Sequence, residues 1–310
     1  MIKNIVSLII LVAAGTLPLV AQAATCSCAG VPLLNAIDVS STQPGDFFFN
    51  LTTEQHEISD LVRGTEEVSD ETDLSRSSLS QTVSMSYGLA DKWSLSGLIS
   101  YIEHTRDVGS SFFGAQRTSG LGDAVVLVRY TPVYQTPFSR HEVGLGLGAR
   151  IPIGKDDATV SGFIVSEDMH PSTGAVGKIA WASYSYAFDQ AATMQLTASI
   201  NYTLNDDEND RDYAFGDEFN FSIGFGQTIG TKFGYSAGLN YRTTTADQRS
   251  GFDIPNSGGE WLDFVPAVRY QLTDNLTAAI SGRVPIARDL DGAIQFTTSY
   301  SYALSLTYAL

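Results

Sequence analysis

The C-terminal stretch constrains the fold most. Ile294, Phe296, Tyr300, Tyr302, Leu304, Leu306, Tyr308 and Leu310 fall on one parity, with Thr298 its only polar member, and Gln295, Thr297, Ser299, Ser301, Ala303, Ser305, Thr307 and Ala309 fill the other. Successive side chains of an extended chain point to opposite sides, so this period makes a strand with one greasy, aromatic face and one small, polar face. The pattern recurs in Met194 to Leu204, Phe219 to Gly226, Phe233 to Arg242, Leu79 to Leu89, Trp93 to Tyr101, Ala124 to Tyr130, Val143 to Ile153, Leu262 to Leu272 and Leu276 to Ile286. Phe47 to Glu57 and a less regular Gly174 to Phe188 bring the total to about 12 strands, each near the length a tilted strand needs to cross a bilayer.

The connections separate a membrane barrel from a soluble sandwich. Tight links at Ala90-Asp91-Lys92, between Pro132 and Pro137, at Asp189 to Ala192, at Ile229-Gly230-Thr231 and at Thr273-Asp274-Asn275 alternate with long ones at 59–78, 105–119, 154–173, 205–214, 245–259 and 287–293. Short periplasmic turns and long extracellular loops produce this rhythm, and an even strand count puts both ends on one side. The predicted fold is therefore all-β, an antiparallel transmembrane barrel over residues 46–310, its apolar parity on lipid and its polar parity on a lumen. In the irregular segment Tyr184, Tyr186 and Phe188 share a face with Lys178 while Ile179 and Trp181 take the other, which requires a bulge or a lumen-facing Trp.

The opening residues read as an export signal. Lys3 carries the only charge, Ile5 to Val20 are apolar apart from breaks such as Gly15 and Pro18, and Ala21-Gln22-Ala23 offers a small-x-small cleavage pattern, so residues 1–23 are expected to be removed. Residues 24–45 then form a periplasmic arm holding the only cysteines, Cys26 and Cys28. Two thiols one residue apart suit a soft metal ion such as copper or a strained disulfide, although two ligands do not complete a metal site. Thr25 and Ala23 do not match a lipoprotein signal. The formal net charge of −16 argues against nucleic acid as a partner.

Charges on the polar parity are the candidate lumen-facing residues: Asp123, Arg129, Glu142, Arg150, Arg242, Asp263, Arg269 and Arg283, with Lys232 nearby. Mixed Arg and acid pairs there either tune selectivity or satisfy one another and stiffen the wall. Tyr87, Trp93, Tyr101, Tyr130, Tyr202, Tyr241, Tyr270 and Tyr308 fall near strand ends, as interfacial girdles require. The acidic run Asn205 to Asp212 fails the calcium-loop pattern, because Arg211 stands where Gly is obligatory, and reads as a solvated loop. Of His56, His104, His141 and His170 none sits in a metalloprotease or nucleophile-elbow motif, and only His104 with Ser110 and Ser111 suggests a hydrolase. No catalytic residue and no cofactor is expected.

Ser119-Gly120-Leu121-Gly122-Asp123 running into the apolar strand Ala124 to Val128 and ending in Arg129-Tyr130, together with the hairpin Tyr87-Gly88-Leu89-Ala90-Asp91-Lys92-Trp93-Ser94-Leu95, resembles the outer-membrane transporter family associated with the MetA pathway of phenol degradation. The resemblance spans most of residues 45–310. It implies an outer-membrane channel or transporter for small, aromatic or apolar molecules, and it supplies no binding-site residue. Expected partners are outer-membrane lipid and lipopolysaccharide, the barrel-assembly machinery and a small-molecule solute. The ending on Leu310 departs from the usual terminal Phe. A structural or surface-binding barrel, an outer-membrane hydrolase and a copper-handling barrel stay open as alternatives.

Overall fold

A computed structural model describes residues 43–70, 74–107, 114–136 and 139–310. Alternating apolar and polar residues extend the chain into staves β1 (Phe47–Gly64), β2 (Ser75–Ala90), β3 (Trp93–Asp107), β4 (Gln116–Val133), β5 (His141–Ile151), β6 (Gly177–Ala187), β7 (Met194–Leu204), β8 (Glu218–Ile229), β9 (Phe233–Thr244) and β10 (Gly259–Gln271). The extended run Leu276–Ala309 is continuous over 34 residues. Its ends nevertheless meet: the Ala309 N–H donates to Asn275 O at 2.9 Å. The run is therefore a hairpin, β11 (276–290) against β10 and β12 (294–309) against β1.

Every stave pairs antiparallel with its sequence neighbour, and the β1–β12 pairing, from Phe48 opposite Ala309 onward, closes the sheet into a barrel of twelve staves. Closure leaves none of the twelve staves with an unpaired edge, which hydrocarbon demands because it offers no substitute hydrogen bonds. Short turns gather at one rim and long loops at the other. Lys92, Ala192 and Gly230 adopt positive φ in three of the short turns. The expected long loop at 287–293 is instead tight, since β11 pairs as far as Leu290 and Gly292, at φ +82°, turns the chain.

The two parities have opposite environments. Leu95, Tyr101, Leu145, Leu147, Ile280 and Leu304 stand exposed on the outer wall, while Ser80, Thr82, Ser84, Ser96, Ser100, Asn220 and Asn240 are buried on the inner one. Tyr87, Trp93, Tyr270 and Tyr308 are exposed at the short-turn rim, where Trp93 and Tyr130 lie 4.9 Å apart between ring centroids, an arrangement suited to a lipid–water boundary. The register of β6 against β5 and β7 is unbroken, so no bulge is needed: Trp181 and Ile179 face inward. They join Leu98, Val125 and Leu127 in an apolar patch on the inner wall. Phe296, expected on the lipid parity, packs on Ile58 with Leu61 and Leu74, beside a register shift in β1 between Glu57 and Asp60.

Candidate functional site

The lumen divides along its axis. At the short-turn end lies a cavity of about 1010 Å³ lined by Asn50 and Thr52 of β1, Thr197 and Ser199 of β7, Ser222 and Gly224 of β8, Gly238 of β9 and Ser305 of β12. Turn residues Asp189 to Thr193 also line it, so the cavity reaches that rim. Small side chains on the inward parity leave this space, since a lumen walled by large residues would fill itself.

Among the sequence candidates, Glu142, Arg269 and Arg283 line this vestibule. Arg283 lies 3.3 Å from Asp263 Oδ2 and also donates to Asn240 Oδ1. Arg269 donates to Thr228 Oγ1 at 2.6 Å. Asp123, Arg129, Arg150, Arg242 and Asp263 are buried deeper. Arg150 pairs with Asp123 at 3.3 Å and donates to Asn205 Oδ1 at 2.9 Å. Arg129 lies over the Trp181 ring at 4.7 Å, and Arg242 over Trp261 at 3.7 Å with Glu218 3.9 Å away. The structure thus joins Asp123 with Arg150 and Asp263 with Arg283. Lys232 stands exposed in its turn.

Toward the other rim loop 152–176 folds inward, its residues reaching β2, β3 and β4 on one side and loops 205–217 and 245–258 on the other. Ser172 and Thr173 hydroxyls donate to the two Asp123 carboxylate oxygens at 2.5 and 2.6 Å. Gly122 clears the space for this, since a Cβ there would meet Ser100 Oγ, Ile102 and Pro171 O, while Gly120 lies in ordinary contact range of the Pro171 ring. The Gly-Leu-Gly-Asp sequence is therefore the seat of the loop. Above the seat a 3-10 turn, Glu167–Met169, buries Met169 completely, and Thr118 donates to Met169 O.

Four arginines converge on that turn. Arg76 Nη1 lies 2.7 Å from Asp168 Oδ2, and Arg106 binds the same oxygen. Arg211 Nη2 and Arg249 Nη2 reach Glu167 at 2.5 and 3.0 Å, and Asn209 donates to it at 3.2 Å. Burial opposes ionisation of both carboxyls. The hydrogen bond and charge of Arg211 at Glu167, and the charges of Arg76 and Arg106 at Asp168, outweigh it and hold both below the usual carboxylate range. Burial and Arg211 likewise press His170 downward. Between the neighbouring loops Tyr213 donates to Asp247 at 2.5 Å, and burial, more than this bond can offset, raises Asp247.

The Asn205 to Asp212 run is only partly solvated, because Asn205 and Asn209 are buried in these contacts. No group of three or more metal-ligating side chains gathers among the described residues. His104 is buried with Nδ1 3.4 Å from Arg76, and His141 meets Tyr184 OH at 2.8 Å. Ser110, Ser111, Cys26, Cys28, the expected signal and most of the arm lie outside the described residues. Sequence reading missed Arg76, Glu167, Asp168 and Trp261. The available signal was the Gly-x-Gly-Asp spacing, which marks a wall built to accept something.

A model of the family described as MetA-pathway of phenol degradation matches residues 103–293. Among solved structures, the COG4313 outer membrane channel from Pseudomonas putida F1 superposes with a TM-score of 0.70 at 12% identity, covering 88% of this chain and 98% of that one. Two looser matches are the β domain of the Bordetella autotransporter BrkA (TM-score 0.48, 13% identity, 87% and 100% covered) and the CymD monoaromatic hydrocarbon channel (0.45, 10%, 87% and 89%). No curated protein matches the sequence.

Proposed function

The chain belongs to the family described as MetA-pathway of phenol degradation, and from that premise we propose that it is an outer-membrane channel for small apolar or aromatic molecules. One observation carries the reading. The lumen holds a vestibule of about 1010 Å³, whereas a purely structural barrel of this size has no need of an inward space walled by Ser, Thr and Gly. Glu142, Arg269 and Arg283, on the vestibule wall, are placed to meet the solute. Asp123, Arg129, Arg150, Arg242 and Asp263 brace the wall, because burial, the Asp123–Arg150 and Asp263–Arg283 pairs and stacking of Arg129 and Arg242 on Trp181 and Trp261 occupy them. The reading assigns the chain no catalytic step. Its outer wall serves outer-membrane lipid and lipopolysaccharide, and barrel-assembly machinery inserts it.

Uptake by cells lacking the gene, compared with complemented cells, tests this with phenol and with a polar sugar supplied at growth-limiting concentration. Slower phenol uptake in the deletion, with sugar uptake unchanged, is expected. Equal phenol uptake by both strains would refute the assignment.

A further inference from the structure

Loop 152–176 is built unlike the rest of the lumen. Its ends are fixed by packing and hydrogen bonds: Gly154 is seated so closely on Leu121 O that a Cβ has no room, and Thr173 is held by Asp123, which Arg150 neutralises. Its middle is held by charge. Arg76 from β2, Arg106 from β3, Arg211 from loop 205–217 and Arg249 from loop 245–258 all bind the adjacent carboxylates of Glu167 and Asp168. The other ionisable groups facing the turn are few. They are His104 of β3, His170 and Asp156 of the loop itself, the last sharing Arg211 at 3.2 Å, and the Tyr213 and Asp247 pair. Lys155 and Asp157 face solvent, and β4 contributes the neutral Thr118.

We propose that loop 152–176 is an acid-released plug, in which Glu167 and Asp168 form a latch whose protonation frees the middle of the loop while Gly154 and Thr173 keep its ends in place. With both carboxyls neutral, four guanidinium groups converge on one turn without the two negative charges that hold them there. Charge repulsion at such short range in a poorly solvated site then drives them apart. Both carboxyls sit below their usual range, so their contribution is full at neutral pH and is lost as pH falls through the lowered folded value. His170, also lowered, changes in the same direction, because its protonation disfavours the docked loop below its ordinary range. Asp247 has the opposite sign, so acid leaves loops 205–217 and 245–258 joined to each other while Glu167 lets go.

The test places nitroxides on Ile164→Cys, in the exposed part of the loop, and Asp274→Cys, at the short-turn rim, in the full chain with Cys26→Ser and Cys28→Ser, reconstituted in lipid. Pulsed electron resonance should give one narrow distance at pH 7 and a broad, shifted distribution once the pH is taken well below the ordinary carboxylate range, to about 2.5. The double variant Glu167→Gln/Asp168→Asn should give the broad distribution already at pH 7. A narrow distance under all three conditions would overturn the latch. Single-channel conductance on the same samples separates this inference from the channel assignment. A severalfold rise wherever the loop moves supports both, and loop movement at constant conductance supports the latch while removing the channel reading.

Discussion

The two ends of the lumen are made from the same staves and differ in what the inward residues meet. At the short-turn end Ser222 and Gly224 line open space, and a Cβ built on Gly224 finds nothing closer than 3.6 Å. At the long-loop end a Cβ on Gly122 would come within 2.9 Å of Ile102 Cδ1 and 3.3 Å of Pro171 O, and inward acids and arginines are consumed by loop contacts. Strand periodicity builds the wall without distinguishing the ends. The loops decide which end is a passage and which is a seal.

The largest effect that tests this contrast is expected at Asp123. Asp123→Ala strips Ser172 and Thr173 of their acceptor and leaves Arg150 buried without its partner, so a loss of about 3–5 kcal/mol is expected in urea unfolding from lipid vesicles. A loss under about 1 kcal/mol would mean the seal is not anchored there. Leu147→Arg, mid-stave on the outer wall at 73% exposure, should cost about 2–4 kcal/mol in the same assay. Ser222→Arg, on the vestibule wall, should fold nearly normally and narrow the passage. Equal costs for these two would erase the distinction between lipid face and lumen.

The glycines sharpen the comparison further. Gly122→Ala should destabilise by about 1–3 kcal/mol through overpacking against Ile102 and the loop, while Gly224→Ala stays within about 0.5 kcal/mol. Similar values for both would show that the loop does not press on the wall. A modest effect belongs to Trp261→Phe, which removes the 2.9 Å bond to Thr297 Oγ1 and weakens the stack with Arg242, for about 1–2 kcal/mol. Its thermal unfolding in detergent should shift accordingly, with phenol uptake unchanged.

The wall was legible in the sequence because a strand in a barrel has one period and two solvents, and residues such as Tyr302, Leu304 and Leu306 have no other consistent placement. Charge pairing was not legible. Asp123 and Arg129 share a stave, where six residues of rise separate them by about 20 Å, whereas Arg150 sits on the next stave, whose register places it opposite Val125. The seal was illegible for a different reason. Loop 152–176 and the Asn205 to Asp212 run are polar, and polar residues satisfied by water and polar residues satisfied by inward arginines have the same composition. Only the small residues at 120 and 122, ahead of an acid, hinted at a docking surface. Residues 287–293 look like a long link in sequence, Arg288, Asp289 and Asp291 being charged, yet Arg288 donates inside the sheet to Thr298 O and binds Asp60 at 2.5 Å.

The most direct test of a passage open at one end and sealed at the other is single-channel conductance in a planar bilayer, comparing the native chain with one in which residues 156–170 are replaced by two glycines. The native chain should show small, intermittent conductance, and the shortened chain a larger, steady one with the same barrel stability. Identical conductance in the two proteins would contradict a lumen sealed by this loop.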